Sequence, residues 1–230
     1  MSMTLTQAIT AVRERLDEVD AAGWSDVELR RWINEAVTDI ARKTETVQST
    51  DAIDVTAGEQ SHDLATDVLR VYRATYTEDG NSHIYPLEYA DFNAADSVWW
   101  SDQAITQSRP RMFTMWGYPP TLQAILYPTP SVDGTLTIYY YAAPAALATD
   151  GSDDTETLSV VEGYSDLILE YAAYMALRRD RDPRWKEHKG MYDEHLDAMM
   201  AMTRRWSDQA GTLTRAGNGL PDWLVSEPGW

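Results

Sequence analysis

Trp24-Ser25-Asp26-Val27-Glu28-Leu29-Arg30-Arg31-Trp32-Ile33-Asn34-Glu35-Ala36 decides how the first part of this chain folds. Ser25 and Glu28 stand three apart, the spacing of a capping box, in which a hydroxyl and a carboxylate each satisfy a free N–H of the first helical turn. Leu29, Ile33, Ala36 and then Ile40 recur at steps of four and three. That spacing puts them on one face of a helix predicted to run to about Thr44. Helix formation explains these residues but not Trp32 or Asn34. A tryptophan here serves either the core or a contact with another subunit, and both readings stand.

Working outward, Thr4 with Gln7 forms a second capping box, and Leu5, Ile9, Val12, Leu16 and Val19 make an apolar stripe behind it. Gly23 is the expected C-terminal stop of this first helix. The loop is short, so the two helices are predicted to pack as an antiparallel hairpin. After Thr44 the period changes. Thr50 to Val55 alternates loosely, and Ala57-Gly58-Glu59-Gln60 reads as a turn. Val68 to Thr77 reads as a strand with Leu69, Val71 and Thr75 on one face. Glu78-Asp79-Gly80-Asn81 is a hairpin-type turn, and His83 to Leu87 returns as the partner. Tyr89 to Trp100 is ambiguous and compatible with a short helix. Arg111 to Trp116, Thr121 to Tyr127 and Thr135 to Ala142 read as three more strands, giving an antiparallel meander or small sandwich.

The last third returns to helical spacing. Val160, Tyr164, Leu167, Tyr171 and Met175 step by three and four, with Ser159 and Glu162 as a possible capping box. Asp182-Pro183 is a good helix start. That helix is predicted to run to about Trp206, with Trp185, Tyr192, Leu196, Met199 and Trp206 near one face. Met191, Met199, Met200 and Met202 fit core or packing surface. From Gln209 the period is lost, with four glycines and two prolines among Leu213, Leu220, Trp223, Leu224 and Trp230. The expected fold is α+β: a four-helix bundle of two N-terminal and two C-terminal helices (1–44 plus 156–206). An inserted antiparallel β module (45–155) and an extended C-terminal docking tail (207–230) complete it.

Composition limits what such a chain does. Apolar residues are 43% of 230, enough for a core, and no apolar run approaches the length of a membrane span. Met1 to Gln7 shows no cationic patch followed by an apolar stretch, so neither a secretion signal nor a membrane is expected. With no cysteine there is no disulfide, thiolate metal site or cysteine nucleophile. The net charge is −18, and Lys43, Lys186 and Lys189 are the only lysines. Duplex binding draws on neutralised phosphates, so this surface repels DNA rather than gripping it. Twelve carboxylates and two arginines fall between Glu45 and Gln107, while eight basic and six acidic residues lie between Arg178 and Arg205. The acidity fits a solvated surface in a salty habitat, or the wall of a DNA conduit that must not stick to its cargo. Nine Trp and thirteen Tyr against two Phe hint at assembly contacts.

A search for chemistry finds none. His188 and His195 share a face of the last helix near Glu187, Asp193, Glu194 and Asp197. A metal needs three or four converging ligands, so a solvated polar face or an interface competes with a metal there. Asp150, Asp153, Asp154 and Glu156 lack the spacing of a calcium loop. No nucleophile elbow, phosphate loop or dinucleotide fingerprint is present. No catalytic residue, metal ligand or cofactor is assigned, and the chain reads as non-enzymatic.

Trp24 to Ala36 resembles the opening signature of tailed-phage head-to-tail adaptor, or connector, proteins. Ala57-Gly58-Glu59-Gln60 followed by Leu64 resembles the family's glycine turn before its first long strand, although Leu64-Ala65 stands where Leu-Pro is common. The specific likeness covers about the first 75 residues, and the rest agrees in order of elements. The resemblance implies a homo-oligomeric ring, usually a dodecamer, docked beneath the portal protein in the virion neck after assembly in the host cytoplasm. Its tail would reach into portal clefts, its lower face would receive the next neck or tail ring protein, and genomic DNA would pass through without specific binding. On this reading Leu213, Leu220, Trp223, Leu224 and Trp230 bind the portal. Trp32, Asn34 and Trp206 form the subunit interface, and Trp99 and Trp100 the tail-side interface. An unstructured tail carrying such side chains suits ordering on a partner. Two alternatives remain. One is another neck ring, such as a stopper or tail-completion protein. The other is a tail-associated carbohydrate-binding or hydrolytic protein, with Trp99, Trp100, Trp116 and Tyr118 stacked on sugar.

Overall fold

The computed structural model describes residues 3–18, 23–91, 107–148, 157–158 and 164–216, with side chains through Arg204. Val19, Val160 and the Ser159–Glu162 pair lie outside them. The chain divides into two compact units, Met1–Thr46 with Ala146–Trp230, and Val47–Ala145.

The first unit is helical. Thr4 caps α1 (Leu5–Arg15) and Ser25 caps α2 (Asp26–Thr44), each through a complete capping box. In the first, Thr4 N–H donates to Gln7 Oε1 at 3.0 Å; in the second, Ser25 N–H donates to Glu28 Oε2 at 3.1 Å. Gly23 does not stop α1. Asp17 does, with φ at 56°. Its N–H bonds the Glu14 carbonyl while the Glu18 N–H bonds that of Arg13, the paired closure of a Schellman motif, with Asp in the left-handed position glycine usually takes. Arg13 ties the following loop to α2, reaching Glu18 at 3.0 Å and Asp26 at 2.6 Å.

Among the described residues two further helices belong to the unit: α3 (Ser165–Arg179) and α4 (Trp185–Ala216). The sequence suggested one apolar stripe through Tyr164, Tyr171 and Met175. Instead α3 is the central helix, packed against α1, α2 and α4, and buries Leu167, Ile168, Leu169, Ala172, Ala173, Ala176 and Leu177. A helix enclosed on most sides has little amphipathic signal to read. The α3–α4 turn repeats the Schellman closure, with Arg181 left-handed at φ 59° and the Asp182 N–H bonded to the Leu177 carbonyl at 3.0 Å. Asp182 then accepts from the Arg184 N–H at 2.9 Å, opening α4. That helix continues through Ala216, about three turns beyond the expected end near Trp206. Leu213 therefore stands on a helical backbone, not in an extended tail. Leu147 and Leu158, on the chain returning from the insertion, join the helical core.

The inserted unit corrects the predicted fold more deeply. It is not a small antiparallel module but a seven-stranded mixed sheet, ordered β1-β7-β3-β4-β5-β6-β2. The strands are β1 (Gln48–Val55), β2 (Ser61–Asp63), β3 (Val68–Glu78), β4 (Tyr85–Tyr89), β5 (Met112–Trp116), β6 (Gln123–Tyr127) and β7 (Gly134–Ala142). β4 and β5 run parallel, Glu88 opposite Met112. A parallel pair needs a long crossover, and the chain from 90 to 111 is long enough to supply it. The edge strands β1 and β2 are neighbours in sequence. Laid flat, the sheet would hold them roughly 29 Å apart, at about 4.8 Å per strand spacing. The six Cα steps from Val55 to Ser61 span at most about 21 Å, and Glu59 N–H to Thr56 carbonyl turns the chain back within them. The sheet therefore curls into a nearly closed barrel.

Side-chain alternation is clean on β7, where Leu136, Ile138, Tyr140 and Ala142 point inward. It fails on β3. Register shifts between Val68 and Arg70, and again between Val71 and Arg73, break the two-residue period. Leu69, expected on one face with Val71 and Thr75, is exposed, whereas Thr75 is buried together with Val68, Ala74 and Tyr76. Gly134 starts β7 where no side chain fits: a Cβ there would lie 2.7 Å from the Tyr76 hydroxyl. That hydroxyl donates to the Val132 carbonyl at 2.7 Å.

Candidate assembly interfaces

Of the residues assigned to subunit contacts, Trp32 sits within the helical core, 8% exposed. Its remaining surface contributes to an open groove of about 410 Å³ between α2 and α3, together with Glu28, Arg31, Met175, Arg178 and Arg179. Arg178 and Arg179 come from the last turn of α3, and Glu28 and Arg31 from the first turns of α2. Arg179 pairs with Glu28, Arg31 with Glu35 at 3.1 Å, and Arg178 donates to the Tyr174 hydroxyl at 2.9 Å. The groove carries three guanidiniums against one carboxylate.

Asn34 has an internal task. Its Oδ1 accepts from the Leu147 N–H at 3.2 Å, pinning the chain where it returns to the helices. It also borders a second groove of about 320 Å³ with Glu35, Thr38, Asp39, Arg42 and Tyr171. Burial, reinforced by Glu35 and Asp39, pushes the Tyr171 hydroxyl up to about 12. Burial and a hydrogen bond to Asp39 raise Tyr192 further.

His188 is not on a solvated face but half-buried. Its Nδ1 lies 2.6 Å from Glu170 Oε2, and Arg15 Nε lies 2.9 Å from Glu170 Oε1. Glu170 is 5% exposed on the central helix, so one buried carboxylate joins α1, α3 and α4. His195 is exposed. Among the described residues no group of His, Asp and Glu is placed to hold a metal ion. Nor is any described helix long and apolar enough to cross a membrane.

On the barrel, the only two arginines between Glu45 and Gln107 occupy one spot. Arg70 stacks over Tyr141 at 5.1 Å and Arg73 over Tyr139 at 5.3 Å, with exposed Tyr72 beside both rings. The segment Arg70-Val71-Tyr72-Arg73 was the available signal, but only the β3–β7 pairing reveals its partners. Trp116 and Tyr118 are exposed at the end of β5. Trp99, Trp100, Leu220, Trp223, Leu224 and Trp230 lie outside the described residues, as do the side chains of Trp206 and Leu213.

Among the described residues these surfaces offer grooves, stacked side chains and a long last helix. The sequence model of the SU10 adaptor protein family matches residues 3–216, taking in both units. The chain belongs to the SU10 adaptor family. This is a family of phage head-to-tail adaptors, structural proteins of the virion that contact other neck or tail components. A search of curated proteins returns no match. For an SU10 adaptor the charge balance gains meaning: the barrel unit, 47–145, carries twelve carboxylates and four arginines.

Proposed function

We propose that this adaptor works in the virion neck as a ring of identical subunits between the portal and the next neck or tail protein, assembled in the host cytoplasm, with DNA passing through its centre. The observation that carries this reading is the length of α4. Tyr164, at the start of α3, meets Met202 at 3.6 Å. The helix from there to Ala216 reaches about 21 Å beyond α3, at 1.5 Å per residue. Trp206, Ala210 and Leu213 continue its apolar spacing into that projection, where α3 no longer runs beside it. Such a helix is stable when another molecule covers it. The projection and the following Leu220, Trp223, Leu224 and Trp230 are the portal-binding element, while Trp99 and Trp100 belong to the tail-side contact.

Negative-stain images of the purified protein, alone and with its portal, test the reading. Rings coaxial with the portal are expected, and removal of residues 203–230 should abolish docking while leaving the barrel folded. A protein that neither forms rings nor binds the portal with its tail intact would overturn it. The acidic wall makes a separate prediction: no retention of duplex DNA in a mobility-shift assay at moderate salt. Tight duplex binding would refute the slippery-channel reading alone.

A further inference from the structure

We infer that, in the protein free of its portal, the arginine groove between α2 and α3 receives the segment Leu220-Pro221-Asp222-Trp223-Leu224 of a second copy. The groove couples a hydrophobic floor, Trp32 and Met175, with guanidiniums from Arg31, Arg178 and Arg179. It therefore suits an aromatic side chain flanked by a carboxylate. Residues 217–230 contain Asp222 and Glu227, no basic residue, and two tryptophans. Asp222-Trp223 places acid and indole side by side. A planar guanidinium fork matches a carboxylate in two parallel hydrogen bonds, and stacks on an aromatic face.

Reach decides whose segment it is. The groove lies at the end of α3 where α4 begins, and α4 runs away from it antiparallel to α3, as the Tyr171–Tyr192 and Tyr164–Met202 contacts mark. From the level of Arg178 to the end of α4 is about 42 Å along the axis, at 1.5 Å per residue. Trp223 lies seven residues past Ala216, and seven residues span at most about 25 Å. A chain cannot place Trp223 in its own groove, but a neighbour can. The portal then competes for the segment, so docking frees the groove as it captures the tail.

The absence of cysteine makes the test clean. Two singly substituted full-length copies, Met175→Cys and Leu224→Cys, carry tags of different length. They are checked for native circular dichroism, mixed without portal and oxidised gently. A disulfide-linked mixed dimer is expected. Adding Asp222→Arg to the tail copy should lower its yield about fivefold, as turning an exposed attractive charge pair into a repulsive one does, and adding Arg178→Glu to the groove copy should restore it. Absence of a mixed dimer between folded copies overturns the contact. So does a yield indifferent to Asp222→Arg, or a chain carrying both cysteines that closes on itself at monomer mass. Portal binding, measured separately on the unsubstituted protein, reports on the proposed function and not on this contact.

Discussion

Glu28 shows how much one side chain does here. It closes the capping box of α2 and pairs with Arg179 on α3. The Ser25 backbone N–H first, then the Ser25 hydroxyl and Arg179, hold its carboxyl below the ordinary glutamate value of 4.5. A carboxyl depressed in the folded state contributes stability above the unfolded pKa and loses it as pH falls through the folded one. Unfolding titrations should therefore show this contribution intact above about pH 4.5 and fading below it. Glu28→Gln should flatten that acid limb, and an unchanged limb would remove the assignment. Glu170 is the costlier residue. Removing it strands His188 near the core and leaves Arg15 to Asp166 alone, and Glu170→Ala should lower stability in urea by about 3 kcal/mol. The capping boxes were legible because their partners are three residues apart. Arg15 and Glu170 meet only after the whole insertion has intervened, so no spacing could announce them.

Among elements, turns were the hardest to read. Glycine is the usual left-handed residue, yet Asp17 and Arg181 hold those positions. A non-glycine residue pays roughly 1–2 kcal/mol for that conformation. Arg181→Gly should accordingly raise stability by about 1 kcal/mol, seen as a thermal midpoint about 3 °C higher. A lowered midpoint would mean that the arginine side chain holds the turn. Most strands were placed within two or three residues, since alternation and turn residues are local. Their pairing was not. Successive strands were expected to be neighbours, whereas β7 enters between β1 and β3, and β2 crosses to the far edge. Bulges on β3 also split the face read through Leu69, Val71 and Thr75.

At the scale of the molecule, the two units have separate hydrophobic cores that share no buried residue. The insertion enters and leaves through paired strands, Gln48 opposite Tyr141. Its ends are thus one strand spacing apart, about 5 Å. Replacing residues 47–145 by a short Gly/Ser linker should leave a helical unit that unfolds cooperatively, with helical circular dichroism retained. Loss of cooperative folding would show that the helices need the barrel.

The sequence by itself determined where the first helices are capped, where most strands lie, the acidic surface and the adaptor resemblance. Each of these follows from neighbours a few residues apart or from composition. Tertiary structure alone decided the curled mixed sheet, the enclosure of α3, the buried Glu170 cluster and the arginine groove. These depend on which distant segments meet, and strand order is set by packing over a shared core, which no local period encodes.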